Sequence, residues 1–304
     1  MNNLRTRKIT LKDKSRMLEI VKNIWDGSDY MPLVFDSWVK DKKGEFAGAI
    51  DKKGKLVGFE KLTMLSDSDA WIEGLRKDLK MKVKGVGRFL SGHLLTKLAK
   101  DPKVKTIRFA TYFHNVESIG LFTKMGFNVL EKRNHKYLSL PKRNVVPEYK
   151  GNRTKADRNN KQVLDFLKKS NWIRANKTGI CYSWVVRPYT DEMIVKDYIE
   201  KDKCLTIREG GKIKAMCLYT IREKEDFFIS LFEAENEKYF KELLQGVKKF
   251  AYKGGQQALC VVINKKDKIS YNEFKKNRFK SWEGENDFLI FDYPASKLKK
   301  EKNH

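Results

Sequence analysis

KVKGVGRFL, residues 82–90, sets two glycines two residues apart among Lys82, Lys84 and Arg88, and leucine-rich sequence of helical spacing follows directly. Glycine is a poor helix former, so its place at the opening of a helix needs a reason. Backbone N–H groups at a helix N-terminus lack intrahelical partners, and the helix dipole favours an anion there. Glycine lets a bulky anion approach that backbone, so the stretch reads as a phosphate cradle. An ordinary turn with a solvated basic surface is the other reading. The order of the surrounding elements separates the two.

Upstream, EFAGAID (45–51), KLVGFEKLTML (55–65) and AWIEGLR (70–76) carry strand patterns, and DKKGK between the first two is a hairpin signal with Gly54 supplying positive φ. Before them, LRTRKI (4–9) alternates like an edge strand, Met17, Ile20, Val21 and Ile24 recur at helical spacing, DGSDYMP is a loop, and VFDSWV is a short helix. Downstream, Val86, Phe89, Leu90, Leu94 and Leu98 trace one helix face. KTIRFATYF (105–113) reads as a strand, NVESIGLFTKMGF (115–127) as a helix ending at Gly126, and NVLEKRNHKYLSL as a closing hairpin. This order predicts an α/β (α+β) domain over 1–140 with a mixed sheet, antiparallel early and parallel at the later crossover. The glycine loop follows a strand and opens a helix, the context that phosphate binding requires.

Residues 141–160 are polar, with two prolines and little periodicity, and read as a linker. The remainder, 161–304, starts over. ICYSWVV and CLTIR are strand patterns with the helix DEMIVKDYIE between them; KIKAMCLYTI and DFFISLF are strands; YFKELLQGVKKFAY is a long helix; ALCVVIN, ISYNEFKKNRF and DFLIFDYP are strand, helix and strand. That order repeats the first half, and FKKNRFKSW (274–282) echoes FTKMGFNVL (122–130), so we expect a duplication whose second copy is degenerate, having no glycine loop at its long helix.

The chain of 304 residues suits two domains, and 18 Phe, 12 Tyr and 6 Trp can build real cores. No apolar run reaches the roughly 18 residues that span a bilayer, and the polar N-terminus has no signal-peptide core. Cys181, Cys204, Cys217 and Cys260 lack C-x-x-C spacing and suit a reduced, cytoplasmic protein. The four histidines are scattered, so no metal site is expected. A net charge of +26 is the footprint of a nucleic-acid binder, yet only 15 of the 65 basic residues are arginine and the lysines spread along the chain, which argues for solvated faces over a dedicated groove.

Two motifs carry a family resemblance. Lys82-Val-Lys84-Gly85-Val86-Gly87 resembles the coenzyme A pyrophosphate fingerprint of the GCN5-related N-acetyltransferase (GNAT) superfamily, with lysine where glutamine or arginine is usual. Asn115 through Phe127 is similar to a second superfamily motif, except that Phe122 stands where the family usually has tyrosine. IWDGSDYMP (24–32), SW (37–38), IEGLR (72–76) and SWVVRPY (183–189) are similar to histidine N-acetyltransferase-type proteins, which also carry a degenerate acetyltransferase-like second domain.

The resemblance implies acetyl transfer from acetyl-CoA, a co-substrate, to a primary amine, a small molecule or an amino acid such as histidine, without a metal. It places the coenzyme against Leu75, Arg76, Lys82, Lys84, Gly85, Val86, Gly87, Arg88, Asn115, Ser118 and Phe122, with a backbone N–H near Leu75 polarising the thioester carbonyl. Glu73, an acid inside a strand, is the candidate base, with Glu60 on the preceding strand next; a solvent-facing strand position is the other reading of Glu73. Asn115 equally suits a helix cap. Trp25, Asp29 and Tyr30, with Trp184, Arg187 and Tyr189 from the second half, are the candidates for acceptor binding; Trp25, Asp29 and Tyr30 equally suit a packed loop. The competing function is a basic nucleic-acid-binding protein on a catalytically silent GNAT fold.

Overall fold

The structure, a computed structural model, describes residues 4–27, 29–142, 153–222, 226–294, 296 and 297. Residues 143–152 of the expected 141–160 linker lie outside these residues. The chain divides into two compact units. Unit 1 comprises Met1–Thr111, Asn115–Leu130 and Ile290–His304; unit 2 comprises Tyr112–His114 and Glu131–Leu289.

Unit 1 opens with β1 (Arg5–Lys8), α1 (Lys14–Val21) and α2 (Met31–Lys40), followed by the strands β2 (Glu45–Ile50), β3 (Leu56–Met64) and β4 (Asp69–Lys77). α3 (Val86–Ala99) crosses over to β5 (Thr106–Tyr112), and α4 (Val116–Lys124) follows. β1 to β4 pair antiparallel in order, and β5 joins β4 in parallel. Apolar residues at Met17, Ile20, Val21, Met31 and Phe35 seal one face against Phe46, Ile50, Leu56 and Phe59. The chain's C-terminal residues Ile290–Pro294 lie beside β5, where Phe291 stacks on Phe109 with centroids 4.7 Å apart.

Unit 2 contains β6 (Asn128–Ser139) from Glu131 onward, then β7 (Lys155–Ala156), α5 (Asn160–Leu167), α6 (Asn171–Ala175), β8 (Ile180–Tyr182), β9 (Val185–Arg187) and α7 (Asp191–Ile194). β10 (Cys204–Glu209), β11 (Lys212–Arg222) and β12 (Asp226–Ala234) form an antiparallel meander, and α8 (Glu237–Gly254) crosses over to β13 (Ala258–Ile263), which pairs parallel to β12. α9 (Lys268–Lys276), β14 (Lys280–Ser281) and β15 (Phe288–Pro294) complete the chain. A meander, a helical crossover and a parallel fourth strand therefore occur in both units.

Three sequence expectations give way. Residues 128–139 form one strand, not a hairpin: Asn134 offers no turn and is buried in the ladder, where Asn286 N–H donates to its side chain at 3.0 Å. ICYSWVV, expected as one strand, is the hairpin β8–β9, turned at Ser183 with φ +56°. β7 pairs with β10 through Ala156 and Leu205, so part of the stretch read as linker is ladder.

Candidate active site

The parallel pairing of β4 with β5 runs only from Asp69↔Thr106 to Trp71↔Arg108, although both strands continue beyond it. Past that register the strands separate and leave backbone edges without a ladder. Just beyond, β4 carries an extra residue: Glu73 pairs with Lys61 and Arg76 with Phe59, so Gly74 and Leu75 together oppose Glu60. This is a β-bulge, which kinks a strand and turns a peptide out of the ladder. Gly74 is the residue that permits it. Its φ is +68°, and a Cβ there would stand 2.5 Å from two ring atoms of Trp38.

The bulge meets the glycine loop. A Cβ on Gly87, in the first turn of α3, would lie 2.9 Å from Leu121 Cδ2 and 3.2 Å from Leu75 Cδ2. Gly85 caps the helix in the left-handed region at φ +79°, with open space around it. No acid occupies the first turn and no side chain caps it, while Lys82, Lys84 and Arg88 are all exposed nearby. Val86 is buried against β3, so only its backbone can serve a ligand. An uncapped, cation-rimmed helix start beside the point where the β4–β5 ladder stops has the arrangement that binding an anion requires.

The two candidate bases occupy opposite faces of the sheet. Lys61 and Glu73 are register partners, Thr63 Oγ1 donates to Glu73 Oε1 at 2.7 Å, and Glu73 is half-buried. Lys61 Nζ is buried on this face, donating to Leu62 O at 2.6 Å and pairing with Asp41. Glu60 is adjacent on β3 and so points the other way, under α3. It is fully buried, Ser91 Oγ lies 3.0 and 2.9 Å from its two oxygens, and burial pushes its carboxyl up to about 8. A group so enclosed cannot reach a solvent-borne amine.

The remaining candidates scatter. Arg76 is engaged by the loop before α2: its Nε donates to Asp29 Oδ2 at 2.6 Å and its guanidinium lies 5.4 Å from the Tyr30 ring centre. Asp29 is buried and also accepts from Met31 N at 2.9 Å, so its carboxylate holds the loop before α2 in place. Trp25 is exposed at φ +51°. Asn115 caps α4, accepting from Ser118 N at 3.2 Å and donating to Thr111 Oγ1 at 3.0 Å. Phe122 is buried, its ring 4.1 Å from Phe109 and 5.1 Å from Phe127, so it is a core residue.

In unit 2, Trp184 packs edge-on against Tyr112 at 4.5 Å, Arg187 pairs with Asp197, and Tyr189 donates to Asp191 at 2.9 Å. Trp38 fills the space a Gly74 Cβ would need and Thr63 holds Glu73, roles that the sequence reading did not assign to these three residues. For Gly74 the signal was present, since a glycine inside a strand pattern marks a bulge. Among the described residues no group of three or more metal-competent side chains gathers, and no helix is long and apolar enough to cross a membrane.

Residues 14–127 match the family model described as Acetyltransferase (GNAT) family. The fold is similar to the GCN5-related N-acetyltransferase from Sphaerobacter thermophilus, at 12% identity over 96% of both chains with a TM-score of 0.68. It is also similar to the GCN5-related glucosamine N-acetyltransferase region of a fungal multi-domain β-N-acetylglucosaminidase, at 12% identity over 96% of this chain and 38% of that one, TM-score 0.64. A third likeness is to the GCN5-related N-acetyltransferase from Kribbella flavida, at 14% identity over 96% and 71%, TM-score 0.51. At these identities the likeness is one of fold. No curated protein matches the sequence.

Proposed function

We propose that unit 1 transfers an acetyl group from acetyl-CoA to the amine of a small molecule, an amino acid such as histidine being the first to test. The observation that carries this is the contact between Leu75 of the β4 bulge and the space beside Gly87, because it joins a peptide turned out of the ladder to an anion-binding helix start. The N–H groups of residues 85–88 take the pyrophosphate, with Lys82, Lys84 and Arg88 adding screened charge. The thioester enters between β4 and β5.

The amine nitrogen attacks the thioester carbonyl, and the N–H of Leu75 supports the oxyanion. The C–N bond forms and the C–S bond breaks, giving an amide and a thiolate. Glu73, directly or through water, takes the proton from the amine, with Thr63 orienting its carboxylate. The thiolate takes its proton from solvent, for a free thiol near pKa 8.5 leaves tolerably well without an acid. Tyr30 and Trp25 supply an aromatic wall for the acceptor, while Asp29 and Arg76 position that wall. Unit 2, with Trp184, Arg187 and Tyr189, is the degenerate copy and takes no coenzyme.

The test is a screen of free amino acids, diamines and short peptides with acetyl-CoA, reading thiol release and product mass. Amine-dependent thiol release with an acetylated small amine supports the reading. Acetyl-CoA binding without turnover on any free amine, but with turnover on peptides, would move the acceptor class to proteins.

A further inference from the structure

Unit 2 repeats the divergence seen in unit 1. β12 pairs parallel to β13 from Asp226↔Ala258 to Ile229↔Val261, and the pairing stops there although β12 continues to Ala234. A cavity of about 240 Å³ opens at this end of β12, between the starts of α8 and α9. It corresponds topologically to the glycine-loop end of unit 1, but its charge is reversed. Where α3 begins among Lys82, Lys84 and Arg88, this cavity is lined by Glu233, Glu237 and Glu273, with Lys276 as its cation.

The acids are not all accounted for by local structure. Glu233 is held through Oε2, which accepts from Ser170 Oγ at 2.6 Å and Trp172 N at 3.0 Å. Glu273 is 4 % exposed, and only its Oε1 has a partner, Lys276 Nζ at 2.7 Å. Its Oε2 is buried without one, which is costly unless something supplies a donor. Lys276 also lies 3.7 Å from Glu237 Oε1, an oxygen that Lys241 Nζ already pairs at 2.7 Å, and its side chain is 58% exposed, so it can swing aside. Beside the polar Asn236, Ser270 and Asn272, the lining includes Phe240 and Ile269, apolar surface which a bare metal ion would not use.

We propose that this cavity binds an alkylammonium group, the ammonium donating to Glu273 and Glu237 and the carbon chain lying against Phe240 and Ile269. A pyrophosphate is repelled by the same acids. An ammonium in place of Lys276 keeps the charge pairing and brings apolar surface out of water as well.

The probe is n-butylammonium chloride, titrated into the full chain while amide NMR signals are followed, with sodium chloride at equal ionic strength as control. Saturable shifts confined to residues around Asn236, Glu237, Ile269 and Glu273 are expected. Glu273→Gln, which keeps the volume, should weaken binding by at least about tenfold. Lys276→Gln, which removes the resident cation, should tighten it severalfold, and it keeps the proposal testable should Glu273→Gln not fold. Shifts absent from this region, equal with sodium chloride, or unaltered by Lys276→Gln would overturn the proposal. Acetyl-CoA binding at unit 1 is read separately in the same samples, so failure here leaves the proposed function standing and failure there leaves this site standing.

Discussion

Ser91 Oγ lies within hydrogen-bond distance of both carboxylate oxygens of Glu60, in a site closed to solvent beneath α3. This contact fixes Glu60 to the helix, and in the reading proposed above the opposite face is left to Glu73. Burial pushes the Glu60 carboxyl up to about 8, so the folded state holds a proton that the unfolded chain releases near pH 4.5. Stability from this group is therefore present at low pH and falls as pH rises through that window, by roughly 1 kcal/mol per pH unit. Glu60→Gln cannot ionise. Urea unfolding at pH 5 and pH 8 should show the variant gaining on the wild type as pH rises; parallel pH dependences would show that Glu60 does not hold that proton.

Glu73→Gln preserves size and the hydrogen bond from Thr63 while removing basicity. Turnover should fall roughly 10²–10⁴-fold with acetyl-CoA affinity nearly unchanged. Steady-state rates across pH, with calorimetry alongside, check this. A near wild-type rate at every pH would place the base elsewhere.

Phe122→Tyr would restore the side chain usual in the superfamily, but at a position where the ring packs against Phe109 and Phe127. The added hydroxyl enters an apolar cluster, and leaving it unpaired costs about 1–3 kcal/mol. The expected outcome is a lower melting temperature with little change in rate. A large gain in rate would show that the hydroxyl reaches the leaving thiolate, and would move Phe122 from the core to the site.

Breaking the Arg76–Asp29 pair separates loop positioning from coenzyme binding. Asp29→Asn leaves the half-buried guanidinium with a weaker partner beside Tyr30, and should raise the KM for the amine while leaving acetyl-CoA affinity unchanged. Loss of coenzyme affinity in calorimetry would return Arg76 to the coenzyme side.

Local signals made much of this molecule legible. Strand alternation, helical spacing and turn glycines gave β2 to β5, α3, α4 and the meander of unit 2, because each is specified within its own segment. The glycine loop was readable for the same reason: Gly85 needs its positive φ and Gly87 its close approach wherever the helix goes. What was hidden depends on partners distant in sequence. Arg76 looks like a coenzyme ligand until Asp29, 47 residues upstream, is seen to hold it. Glu60 stands as the second candidate behind Glu73 until the register shows opposite faces, and the aromatic ring stacked on Phe109 comes from the far end of the chain at Phe291.

The central claim, that residues 82–88 and the β4 bulge form the acetyl-CoA site, is tested most directly by calorimetric titration of acetyl-CoA into the full chain. We predict saturable binding with one site per chain, abolished in the Gly85→Val, Gly87→Val double variant, because one valine is forced to positive φ and the other drives into Leu121 and Leu75. A folded double variant that binds acetyl-CoA with unchanged affinity, or a wild-type chain that binds two, would contradict it.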